Sequence, residues 1–160
     1  MPVQYTDDQI AELIAEPKPL PGDFHRRMLL MPKRGHKEQQ LDLQGMRGGE
    51  FRIILRQSEG NALDFSVILA CVVARSHRAF RLRRYNGKNH EHTNRIEKEK
   101  FYDFHIHTAT ERYQAMGEEE DAFGEPTGRY GAMNGAVDCL LHDCGFSVPP
   151  PDQPALFGGP

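Results

Sequence analysis

The chain has no tryptophan, only three cysteines, and no long apolar run. A membrane-spanning helix needs about 20 apolar residues. The longest apolar stretch here, around Val67 to Ala74, falls well short, so no membrane association is expected. Cys71, Cys139 and Cys144 are an odd count at spacings that do not read as a disulfide framework. The opening residues MPVQYTDDQIAEL lack the basic-then-apolar layout of a secretory signal. The expected localisation is cytoplasmic. Also missing are the glycine-rich phosphate loop, the dinucleotide-binding glycine pattern and the G-x-S-x-G elbow. No strand–helix alternation runs through the chain, which argues against a parallel nucleotide-binding sheet.

What is present is an uneven charge. The net formal charge of −3 excludes a strongly basic molecule. Within it, Arg75 to Lys100 carries nine Lys or Arg against three Glu. Gly117 to Glu125 carries five acids and no base. Such a split suggests an oriented partner, and the run Glu118 to Asp121 is a candidate dock for a basic one.

The 160 residues suffice for one domain with a real core. Thr6 reads as an N-cap with Gln9 at the capping-box position, and Ile10, Leu13 and Ile14 follow at helical spacing. Pro17, Pro19 and Pro21 end that helix. Beyond it the period changes to two. Strands are expected at Arg27–Met31, Glu38–Leu43, Glu50–Gln57, Leu63–Val73, Arg78–Tyr85 and Tyr102–Thr110, joined by turns such as Asn86-Gly87. A second helix is expected over Gly131–Cys144 with Gly145 at its C-cap. The expected fold class is α+β: residues 1–147 form a single domain. In it a curved antiparallel sheet of about six strands in meander order packs on an N-terminal and a C-terminal helix. The Pro/Gly-rich tail, 148–160, is expected to be extended or disordered.

The chemistry concentrates between Arg81 and Gln114, where two His-x-His pairs, His90/His92 and His105/His107, stand among five arginines. Residues two apart on a strand share a face. Alternation puts Phe104 and Ile106 inside and His105 and His107 outside. The same logic places Arg52, Arg56, Arg81, Arg83 and Tyr85 on that outer face. The simplest meaning of such a face is a solvated surface, common in antiparallel sheets. The functional one is a metal-free phosphodiester site acting on RNA or a similar substrate. Histidine would exchange protons and guanidinium groups would hold phosphate. In that reading His105 and His107 perform acid–base work, His92 and Glu111 orient them, and Arg81, Arg83, Tyr85, Asn94 and Tyr113 bind substrate.

Two alternatives stand beside it. A non-catalytic module would use the same face to grip nucleic acid or an acidic protein, with steep salt dependence. A metal protein would use His90, His92, His105 and His107 as ligands for a divalent transition metal such as zinc. His90-x-His92-x4-Glu97 loosely resembles the first cupin motif, but the second motif is missing. Asp103-x-His105-x-His107 resembles a motif of barrel metallohydrolases that opens a much longer domain than the 53 residues following His107 here. Cys139, His142 and Cys144 would diverge on a helix.

The blocks R-Y-N-G-x-x-H-x-H-T-N and D-F-H-I-H-T-A-T-E-R-Y-Q resemble a recurring motif of small bacterial proteins that carry no assigned activity. That family is similar to accessory genes of phages and mobile elements. The resemblance spans roughly residues 50–146 and maps onto His92, Asn94, His105, His107, Glu111 and Tyr113. It implies that this His/Asn/Glu block works as a unit.

Overall fold

The computed structural model describes residues 3–148. In chain order the elements are α1 (Asp7–Ala15), β1 (Lys18–Pro19), α2 (Phe24–Arg27), β2 (Met31–Pro32), β3 (His36–Gln44), β4 (Glu50–Ser58) and β5 (Phe65–Val72). There follow β6 (Ala79–Asn86), β7 (His92–Asn94), β8 (Glu99–Phe101), β9 (His105–Thr108), α3 (Glu111–Ala115), β10 (Gly124–Pro126), α4 (Met133–Asp143) and β11 (Phe146–Ser147). Seven strands form the main sheet in the order β10-β9-β6-β5-β4-β3-β2, and every neighbouring pair is antiparallel. The α+β meander is therefore present, extended by β10 and interrupted by the separate hairpin β7–β8. The expected tail beyond Val148 lies outside the described residues.

One face of the sheet makes the core. Phe51, Ile53, Leu55, Val67, Leu69, Cys71 and Phe80 alternate onto it and pack against Ile10 and Ile14 of α1 and Ala136 and Leu140 of α4. The Thr6–Gln9 capping box forms, which stabilises the start of α1 by about 1 kcal/mol. At the other end α4 stops at Gly145, whose φ of +77° belongs to the left-handed region. A Cβ there would approach the Glu16 carbonyl oxygen to 2.6 Å.

The ends of α1 and α4 meet at a buried lysine. The Lys18 ammonium donates to the carbonyls of Leu13, Ile14, Glu16 and Cys144 at 2.8, 2.8, 2.9 and 2.7 Å. It also lies 4.5 Å from the ring centroid of Phe51. A cation is favoured there because both helices present their unpaired, partly negative C-terminal carbonyls.

Two local expectations are corrected. The stretch Arg27–Met31 is strand only at Met31, where β2 begins: Phe24 opens the single helical turn α2, with Phe24 and Met28 on the core at i, i+4 spacing. A short apolar run has no period long enough to distinguish the two conformations. The second correction concerns β6. Arg83 pairs with Leu69 but Arg81 pairs with Ala70, so Leu82 is an extra residue in the ladder. This β-bulge reverses the alternation on its far side. Arg83 and Tyr85 consequently face the helices, and Arg84 takes the opposite face with Arg81.

Candidate metal centre

His105 and His107 lie on β9, which is flanked by β6 and β10. Ile106 pairs with Tyr85 on the helix side, so both imidazoles project to the other face, as alternation requires. That face is not open. The hairpin β7–β8 and the segment leading into β10 cover it, leaving His105 1% and His107 2% exposed. The expected solvent-reachable doublet is thus on the expected side but sealed. His92, from the hairpin, completes the cluster. Its ring stacks on His105 at 5.1 Å between centroids and meets His107 edge-on at 4.7 Å. His105 and His107 are 4.8 Å apart, and Phe101 of β8 closes the apolar side at 5.4 Å from His105.

One potential ligand nitrogen from each of His92, His105 and His107 lies within 4.8 Å of the other two. A tetrahedral ion with bonds of about 2.0–2.1 Å holds its nitrogens about 3.3 Å apart, so small side-chain rotations close the set. Hydrogen bonding has already assigned donors and lone pairs. His105 Nδ1 donates to the Asp103 carbonyl at 2.8 Å, which leaves Nε2 bare. Asn94 receives the Gly124 N–H on Oδ1 at 2.9 Å and donates from Nδ2 to the Gly124 carbonyl at 2.7 Å, which fixes its amide. Its Oδ1 therefore accepts from His92 Nε2 at 2.8 Å and frees His92 Nδ1 as a lone-pair donor. Among the described residues His105 Nε2 and both nitrogens of His107 have no hydrogen-bond partner, although they are buried. Burying a polar atom without a partner costs about 1–3 kcal/mol, so such a group in a folded protein calls for an explanation.

Burial, reinforced by the nearby Arg84 charge, keeps the imidazoles neutral. It lowers the pKa of His105 to about 4 and drives His107 further down, against a weak opposing effect of the Asp121 carbonyl. His92 is lowered as well, again chiefly by burial. Gly124 lies directly across from His107 in the β9–β10 ladder. A Cβ at that position would come within 3.3 Å of His107 Cε1 and 3.4 Å of His105 Cδ2. A side chain there would crowd the rings.

Beside His107 a cavity of about 460 Å³ opens to solvent, its wall including Arg84, His90, His92, His107, Tyr113 and Glu118. Arg84 stands opposite His107 across the β6–β9 ladder, with its Nε held by Asp121 Oδ2 at 2.9 Å. Asp121 is fully buried and also lies 3.4 Å from Arg81 Nε.

The remaining sequence candidates divide clearly. Asn94 belongs to the site. His90 is exposed at the cavity rim, 6.5 Å from the His105 ring, so three rather than four histidines converge. Tyr113 contributes to the cavity wall, its hydroxyl donating to Glu97 at 2.6 Å and accepting from the Ile96 N–H. Glu111 does not reach the histidines: it exchanges hydrogen bonds with Asp7 and joins α3 to α1. Arg81 is taken up by Glu119 at 2.7 Å, and Arg83 and Tyr85 turn to Asp143 of α4. The acidic run therefore meets the chain's own basic strand, with Glu120 bound to Arg78 and Asp121 to Arg84. Arg84, Asp121 and Gly124 were not among the sequence candidates. Only the bulge at Leu82 exchanges Arg83 for Arg84, and R-L-R-R gives no sign of where a bulge falls.

Among the described residues no helix is long and apolar enough to cross a membrane. No protein-family model, curated protein or solved structure matches the chain.

Proposed function

We propose that this protein is a metalloenzyme of hydrolytic type in which His92, His105 and His107 hold one divalent transition-metal ion, zinc in the first instance. The observation that carries this reading is the convergence of the half-buried His92 with the buried His105 and His107, where His105 Nε2 and both nitrogens of His107 have no hydrogen-bond partner among the described residues. Neutral imidazoles are the form that binds metal, and the outer N–H groups of His105 and His92 already donate to a backbone carbonyl and a side-chain amide, as those of ligating histidines do. Three protein ligands leave a fourth position, the pattern of catalytic zinc; structural sites are closed by four. With His92, His105 and His107 holding it beside the cavity, such an ion would supply the polarisation that makes water acidic enough to attack an ester at neutral pH.

The metal-free phosphodiesterase reading is less well supported. Imidazoles whose pKa values lie well below neutrality have no proton to give at pH 7, and most of the arginines expected to bind phosphate are engaged by carboxylates. The nucleic-acid-binding reading weakens for the same reason, because the paired arginines offer little free positive charge.

The test is metal content. Protein purified without a tag and dialysed against zinc should retain one equivalent by elemental analysis. His105→Ala and His107→Ala should each lose it, and His90→Ala should keep it. Wild-type protein with no stoichiometric metal, or full retention in the His107→Ala variant, would overturn the proposal.

A further inference from the structure

The site contains a charge that ligating a metal does not explain. Arg84 is fixed beside His107 by its bond to the buried Asp121 carboxylate. Its Nε is used there, and among the described residues its outer Nη edge has no hydrogen-bond partner while its side chain remains 25% exposed into the cavity wall. A guanidinium next to a dication repels it, so the pair is stable when something negative lies between them. Asp121 is on the far side, committed to Arg81 and Arg84. The other charges on the cavity wall are Arg95, Glu91, Glu118 and Glu119. Glu119 is held by Arg81 at 2.7 Å and Glu118 leans to Arg95 at 3.5 Å. Of the two arginines on the wall, Arg84 is the one anchored beside His107 with its Nη edge unpaired among the described residues; Arg95 is 75% exposed and reaches Glu118 only at 3.5 Å, and the surrounding acids disfavour a polyanion.

We infer that the cavity takes a small substrate bearing a single oxyanion, phosphoryl or carboxyl, bridged between the metal at His92/His105/His107 and the outer edge of Arg84. This rests on the metal reading above and names the substrate class for that site. One oxygen of the anion ligates the metal and another accepts from the Arg84 Nη groups, a geometry suited to a planar two-donor fork. Asp121 is a positioning residue that holds the fork in plane. The glutamates of the wall disfavour a nucleic acid strand as substrate.

The experiment uses the full chain loaded with cobalt(II), whose visible bands report its coordination. Inorganic phosphate and acetate are titrated separately into wild-type, Arg84→Gln and Arg84→Lys proteins. All three should bind one cobalt. Wild type should show a saturable band shift, weakened at least tenfold in Arg84→Gln and less in Arg84→Lys. The anion giving the tighter shift identifies the phosphoryl or carboxyl source. Equal anion affinity in wild type and Arg84→Gln overturns the inference, as does one bound cobalt with no response to either anion. Both outcomes leave the metal reading intact. Failure of wild type to bind cobalt overturns both. A short RNA oligomer that binds more tightly than phosphate would also overturn it.

Discussion

Asn94 is the residue on which the histidine geometry turns. Its amide joins three things: the His92 ring, the Gly124 backbone on both sides, and through Gly124 the strand opposite His107. Asn94→Ala removes the acceptor that sets the His92 tautomer. Zinc affinity should fall by about 10–100-fold, the range seen when a ligand's hydrogen-bonded support is lost. Competition with a chromophoric chelator measures this, and unchanged affinity would show that His92 is not a ligand. Gly124→Val acts from the other side: its methyl groups would press on both buried rings. Zinc affinity in that variant should drop by at least tenfold, with the fold preserved by circular dichroism. Away from the site, Lys18→Met removes the cation bound by the carbonyls closing α1 and α4 and leaves them without that donor. The expected loss is roughly 3 kcal/mol, seen as a lower urea midpoint.

At the scale of elements, the site depends on a small hairpin laid over a large sheet. Strands β7 and β8 have three residues each and pair with one another, not with the main sheet. An isolated hairpin is marginal in water. This one is held by Asn94, by Tyr113 and Arg112 gripping Glu97, and by Arg95 near Glu118. Since His92 comes from the hairpin and His105 and His107 from the sheet, a shared ion would staple the two together. Amide exchange over residues 92–101 should therefore slow on adding zinc, and His92→Ala should show no such protection. Equal exchange with and without zinc in the wild type would contradict a shared ion. The hairpin also accounts for what alternation could not foresee. Period two correctly assigned His105 and His107 to the face away from the helices, but it carries no information about a cover arriving from another part of the chain.

The whole molecule is stitched by carboxylates meeting arginines across distant sequence. Asp143 of α4 accepts from Arg129, at 2.8 and 2.9 Å, and from Tyr85 at 2.7 Å. Burial alone would raise its pKa, but these hydrogen bonds win and hold the carboxyl well below its ordinary value of 3.8. A carboxylate depressed in the folded state releases protons on folding. Its stabilisation is present above the unfolded pKa and is lost as pH falls below about 4 toward the folded value. The urea midpoint of the wild type should therefore decline between pH 4 and pH 2. Asp143→Asn should start less stable and decline less steeply. Parallel curves would mean that Asp143 contributes nothing to acid sensitivity.

The sequence by itself determined the alternation of the long strands, the capped first helix, the stop at Gly145 and the side of β9 that bears imidazoles. Each of these is local: it follows from periodicity, from a cap, or from a residue's own backbone preference, over a few neighbours. Only the tertiary structure decided that the histidine face is covered, that Arg84 and not Arg83 stands beside it, that Glu111 serves the N-terminal helix, and that the acidic run binds the basic strand. Those outcomes depend on a one-residue bulge and on contacts between segments tens of residues apart. Such contacts are selected by packing and charge pairing in three dimensions, which leave no period in the chain to read.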